Sequence, residues 1–152
     1  ALKASGEKMQ EILNDLDKLN AFHPYCSLDK WTDDARKMED SPQLKDYYEK
    51  NARNLITTWG GSLNDYASRS WAGLISDYYA KRWEVYIDTF IKAVGEGVEV
   101  DQKQLEDELK EIEEGWVNAT DRKDTRKDVH STTDGLLSFS TFLFSKYQRL
   151  VK

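Results

Sequence analysis

Apolar residues recur three and four positions apart along most of this chain, the spacing that puts them on one face of an α-helix. Met9, Ile12, Leu13, Leu16 and Leu19 form the first such stripe, in a helix predicted to begin near Ser5. The stripe stops over residues 20–27, where Pro24 cannot continue a helix. A short second helix is predicted over about Leu28 to Glu39. Ser27 is its N-cap, and Asp29 lies near the positive end of the helix dipole. Ser41-Pro42 marks a restart, a capping residue followed by Pro at the first helical position.

From there Leu44, Tyr47, Tyr48, Leu55, Ile56 and Trp59 fall on one side of a long helix that Gly60-Gly61 ends. A short loop, Ser62 to Asp65, leads into another long helix. Its broad apolar face carries Trp71, Leu74, Ile75, Tyr78, Trp83, Tyr86, Phe90 and Val94, and Gly95 and Gly97 close it. Asp101 and Gln104 make a capping-box pattern ahead of Leu105, Leu109, Ile112 and Trp116. The mixed charges of Asp121 to Asp128 read as a loop. Ser131 and Asp134 make a second capping pattern, before a helix carried by Leu136, Leu137, Phe139, Leu143, Tyr147 and Leu150. There is no strand-period alternation of useful length and no internal repeat. The expected fold is all-α: a single domain over residues 1–152, built as a bundle of five or six helices with short loops.

The composition agrees with that reading. A chain of 152 residues can build a core of its own, and two Pro and eight Gly are few breakers for its length. Acids outnumber bases 28 to 22, for a net charge of −6, which argues against a nucleic-acid partner. No apolar run approaches the ~20 residues of a membrane span, so no membrane partner is expected. Cys26 is the single cysteine, so an internal disulfide is impossible and the compartment stays open. The first residues, Ala1 to Gly6, lack a charged-then-apolar signal pattern and run directly into a helix, as expected of an excised or processed chain. Asn118-Ala119-Thr120 fits a glycosylation sequon, a triplet that also arises by chance.

Few residues carry chemistry. A di-iron bundle needs Glu-x-x-His pairs, but Asn20 and Lys127 stand three before His23 and His130. No cysteine cluster suits zinc, and no nucleophile elbow or phosphate loop is present. Neither a metal nor another cofactor is expected. The acidic run Glu106-Asp107-Glu108, with Glu111, Glu113 and Glu114, alternates with Leu105, Leu109 and Ile112 and reads as a solvated helix face. The aromatic segment stands out: Trp59, Tyr66, Trp71, Tyr78, Tyr79, Trp83 and Tyr86. Helical spacing assigns Trp71, Tyr78, Trp83 and Tyr86 to the core. Trp59 and Tyr66 instead flank the Gly60 to Asp65 loop. From there an indole or phenol can pack on a flat ligand such as a sugar ring and keep its N–H or O–H for hydrogen bonding.

Around these residues the sequence resembles a known family. The run Tyr48-Glu49-Lys50-Asn51-Ala52-Arg53-Asn54-Leu55-Ile56-Thr57-Thr58-Trp59-Gly60 is followed by Asp65-Tyr66-Ala67, Trp71-Ala72-Gly73-Leu74-Ile75, Asp77-Tyr78-Tyr79 and Arg82-Trp83. With Leu16-Asp17-Lys18-Leu19 and Trp31-Thr32-Asp33-Asp34-Ala35-Arg36 upstream, the pattern is similar to the C-terminal helical domain of alpha-N-acetylglucosaminidases, glycoside hydrolase family 89. The resemblance covers most of the chain. It implies a parent enzyme that releases terminal alpha-linked N-acetylglucosamine with retention, in a lysosome or outside a bacterial cytoplasm. Retention needs two carboxylates about 5–5.5 Å apart. In the family both come from a barrel that this chain lacks, so by resemblance the chain has no catalytic residue and is inactive alone.

The implied partner is the catalytic barrel of the same parent chain. Trp59 and Tyr66 would line the pocket for the terminal N-acetylglucosamine of a glycan. Arg82 would tie helices or the barrel interface together. The alternative is a free-standing helical interaction module.

Overall fold

The computed structural model describes residues 1–59, 68–120 and 132–150. Within them the chain is helical, and the isolated bridge between Ser27 and Ala72 is the only β-type pairing among the described residues. Helix α1 spans Leu2–Asn20, and a 3-10 turn at Pro24–Cys26 leads to α2, Leu28–Arg36. Helix α3 is Pro42–Leu55. A π-helical turn at Ile75–Tyr79 runs straight into α4, Ala80–Glu96, followed by α5, Gln102–Asn118, and α6, Thr133–Tyr147. Helix α2 packs on α3, α1 on α4, α4 on α5, α3 on α5, and α6 on α1.

The caps explain several boundaries. Ser27 Oγ accepts from Asp29 N at 3.2 Å, and Asp101 Oδ1 accepts from Gln104 N at 3.0 Å. The reciprocal half of that second box is absent: Gln104 Nε2 donates to Glu108 Oε1 at 2.7 Å. Ser41 precedes Pro42 as expected but makes no capping bond; its hydroxyl donates to Gln43 Oε1 at 2.9 Å. Thr132 caps α6 by accepting from Gly135 N at 3.0 Å, while Ser131 and Asp121 to Asp128 lie outside the described residues. Gly97 ends α4 in the left-handed conformation.

The core gathers Leu28, Ile56, Leu74, Tyr78, Trp116 and Val117, with Trp71 and Tyr79 packed against it. It therefore sits where the start of α2, the end of α3, the π-turn and the end of α5 converge. The ends of α2 and the π-turn are pinned there by backbone: Leu28 N donates to Ala72 O at 2.9 Å, and Ala72 N to Cys26 O at 2.7 Å.

The α3 face differs from the expected one. Ile56 is buried, but Leu44, Tyr47, Leu55 and Trp59 are exposed, and the inward positions belong to Glu49, Ala52 and Arg53. The reason is the partner surface. Arg53 stacks over the Trp116 ring at 4.7 Å and pairs with Glu49, filling the space an aliphatic stripe would take.

Helix α6 buries no residue fully. Phe139 stacks on Phe22 at 5.8 Å. Beside this contact Lys146 Nζ lies 2.5 Å from both Asp15 Oδ2 and Glu11 Oε1, and Tyr147 donates to Asp15 at 2.7 Å. Burial pushes the Asp15 carboxyl up, but the hydrogen bonds from Lys146 and Tyr147 outweigh it and leave it below its ordinary value. Lys146 and Lys8 hold Glu11 down as well. Two carboxyls that titrate lower folded than unfolded stabilise the fold above their unfolded values and lose that contribution as the pH falls. Lys146→Met is therefore expected to melt below the parent chain at pH 7, with the gap narrowing as the pH is lowered below about 4. Paired thermal melts across that range check it, and a gap independent of pH would remove the electrostatic explanation.

Candidate functional site

Helix α3 ends at Leu55, and three of the next four residues wind around one acceptor. The Asn54 carbonyl receives the N–H groups of Thr57 and Thr58 at 3.1 Å and of Trp59 at 3.0 Å. The Asn54 side chain accepts from the Thr58 hydroxyl at 2.7 Å, and the buried Thr57 hydroxyl donates to Arg53 O at 2.8 Å. Ile56 plugs the core beneath. The backbone carrying Trp59 is thus fixed, while the indole stays 50% exposed. A rigid, half-exposed aromatic ring is suited to pack against a flat ligand. Tyr66, Asp65 and the Gly60 to Asp65 loop lie outside the described residues.

The other aromatic residues divide differently from the expectation. Tyr78 is fully buried, edge-on to Tyr79 at 5.2 Å and tilted on Trp116 at 5.0 Å. Trp71 packs on Trp31 at 5.9 Å. Trp83 and Tyr86, expected in the core, are 45% and 40% exposed. Trp83 and Tyr86 stand five and eight residues beyond Tyr78, about 140° and 80° around a helix of 100° per residue, so neither shares the face that Tyr78 buries.

They line a surface cavity of about 430 Å³ with Ser68, Tyr79, Arg82 and Leu109. Arg82 Nε pairs with Glu113 Oε1 at 2.9 Å. Glu113 is buried, so the acidic run of α5 is not wholly a solvated face: one of its carboxylates turns in to meet this guanidinium.

Besides Asp15 and Glu113, the buried charges Asp17, Glu49 and Arg53 escaped sequence reasoning. Asp17 Oδ1 accepts from Gly73 N at 2.7 Å and Ser76 N at 3.0 Å, capping the entry to the π-turn from α1. Gly73 takes a positive φ there, a conformation that suits glycine. Arg53 donates to Glu49 Oε1 through Nε at 2.9 Å and Nη2 at 2.7 Å, and Arg36 Nη1 reaches Glu49 Oε2 and Asp46 Oδ1 at 2.7 Å. The signal available was the i, i+4 spacing of Glu49 and Arg53 amid the apolar positions of α3. Asp15, Asp17, Glu49 and Glu113 are all engaged by cations or backbone amides, so these carboxylates act as structural counter-charges.

Residues 1–140 match the family model described as the Alpha-N-acetylglucosaminidase (NAGLU) C-terminal domain. The chain belongs to this family. It is 32% identical over 123 residues to the alpha-N-acetylglucosaminidase of Homo sapiens, a match covering 80% of this chain and 17% of that protein. Its fold is similar to two structures of the family 89 glycoside hydrolase from Clostridium perfringens, in complex with 2-acetamido-1,2-dideoxynojirmycin and with PUGNAc. Each superposes with a TM-score of 0.71 at 28% identity and covers 95% of this chain. The chain spans 17% of the length of these relatives.

In this family domain the recognisable runs meet in space. Asp17, from the Leu16–Leu19 run, holds Gly73 of the Trp71–Ile75 run. Trp31 Nε1 donates to Ala52 O at 2.8 Å, joining the α2 run to the one that ends at Trp59. The run around Arg53 shields Trp116. Much of the pattern that marks the family is therefore scaffold that sets the end of α3, and with it Trp59.

Proposed function

We propose that this chain is the C-terminal helical domain of a retaining alpha-N-acetylglucosaminidase, inactive by itself, that docks on a catalytic barrel elsewhere in its parent chain. In this reading Trp59 forms part of an aromatic wall around the terminal N-acetylglucosamine of the glycan substrate. Tyr66 is the second wall residue on its place in the sequence. The observation that carries the reading is Trp59 itself: a half-exposed indole on a backbone that Asn54 fixes, in a domain of this enzyme family. Docking is supported by the large apolar side chains left outward on one small domain, among them Leu44, Tyr47 and Leu55 on α3 and Leu137, Phe142 and Phe144 on α6.

The test is Trp59→Ala in the full-length parent enzyme. Loss of one stacking face is expected to lower kcat/KM by about tenfold or more, while the melting temperature stays within a few degrees, because the side chain contributes little to the core. Unchanged kinetics would reduce Trp59 to a packing residue. This chain alone is expected to release no p-nitrophenol from the aryl alpha-N-acetylglucosaminide.

A further inference from the structure

We infer that the cavity on the outward side of α4 is a second carbohydrate-binding groove, separate from Trp59, that takes an uncharged pyranose ring. The inference goes beyond the wall proposed for Trp59 and does not depend on it.

Three features carry it. Trp83 and Tyr86 stand edge to face with ring centroids 5.6 Å apart, and Phe90 extends the row with a centroid 4.6 Å from Tyr86. Both leading rings are well exposed, although burying them would stabilise the fold. The exposed face of one ring, with the other standing as a wall beside it, suits the flat C–H face of a pyranose. Next, the wall of the same cavity holds Arg82 and Ser68, with Glu113 buried behind the guanidinium as its counter-ion. A guanidinium and a hydroxyl in one wall are the polar groups that suit the hydroxyls at the edge of a sugar ring. Last, the volume of about 430 Å³ falls within the range of small-ligand sites.

Charge selects among sugars. Glu113 neutralises Arg82, and the nearby pair on α4, Lys81 with Glu84, also cancels. The chain as a whole carries −6. A sulfated or carboxylated sugar thus gains no net attraction here, and an uncharged ring does not meet that opposition.

The test uses this chain, isotopically labelled, with the indole N–H signals of its five tryptophans followed by NMR. Methyl N-acetyl-alpha-glucosaminide is the neutral probe and its 6-sulfate the charged one. The Trp83 signal is expected to move saturably with the neutral sugar, with a Kd on the order of 1–10 mM. The 6-sulfate should bind no tighter. Trp83→Ala and Tyr86→Ala, both at exposed positions, should abolish or weaken the response at least fivefold with helical circular dichroism unchanged. Trp59→Ala should leave the Kd within twofold.

A Trp83 signal that stays still at roughly 50 mM sugar, five times the weakest expected Kd, overturns the groove. So does tighter binding of the sulfate, which would make the site anionic in preference. Loss of the response in Trp59→Ala would show one shared site and also overturn it. Failure here leaves the kinetic test of Trp59 in the parent enzyme untouched, since that test reads turnover.

Discussion

Glu49→Gln is expected to destabilise the chain by about 3–5 kcal/mol, because it removes the buried carboxylate that pairs with the buried Arg53 guanidinium. Arg53 and Glu49 are both nearly inaccessible, and the Arg53 head is sandwiched against the Trp116 ring, so water cannot replace the lost carboxylate. For a domain of this size that corresponds to a fall in melting temperature of roughly 6–20 °C. The paired replacement Glu49→Leu with Arg53→Met should recover most of the loss, since it removes both charges and keeps the volume. Arg36 would keep Asp46 as its partner in that variant. Urea unfolding of the single and double variants decides the matter. A single-variant loss below about 1 kcal/mol would mean that the pair is solvated in solution and behaves as a surface bridge.

Tyr78→Ala is the second large effect, expected at about 3–5 kcal/mol. Among the described residues no other core side chain combines zero exposure with two aromatic neighbours and a cation over its ring: Tyr79, Trp116 and the Arg82 guanidinium at 5.2 Å. Removing it empties the junction between the π-turn and α5, and neither element can close the gap without giving up its own contacts. Tyr78→Phe separates ring from hydroxyl and should cost about 1 kcal/mol. Equal losses in the two variants would shift the weight from packing to the phenol oxygen.

The helices were legible because their stripes and caps are local. Ser27, Asp101 and Gly97 act where their residue types predict, and Pro24 interrupts the chain where it must. The family was legible because its runs are contiguous in sequence. Which face of each helix is buried was less so. One broad apolar face was read from Trp71 to Val94, but Trp83 and Tyr86 stand five and eight positions after Tyr78 rather than four or seven, so both fall outside the face it buries. On α3 the apolar stripe pointed outward, because Glu49 and Arg53 satisfy each other inside and a polarity pattern scores both as surface. Asp17 was hidden for a related reason: its partners are backbone amides 56 and 59 residues away. At the candidate site, Trp59 was expected on a helix running to Gly60, but α3 stops at Leu55, and the local wrap of backbone around Asn54 that carries Trp59 is one that residue types do not announce.

The paired hydrogen bonds between Leu28 and Ala72 and between Ala72 and Cys26 join stretches of chain that are far apart in sequence and lie outside the hydrogen-bond ladder of any helix. Their amide protons can trade with solvent deuterium only when the junction of α2, α3 and the π-turn comes apart as a unit. The amides of Leu28 and Ala72 should therefore act as a clock, timing the cooperative opening of the scaffold that presents Trp59.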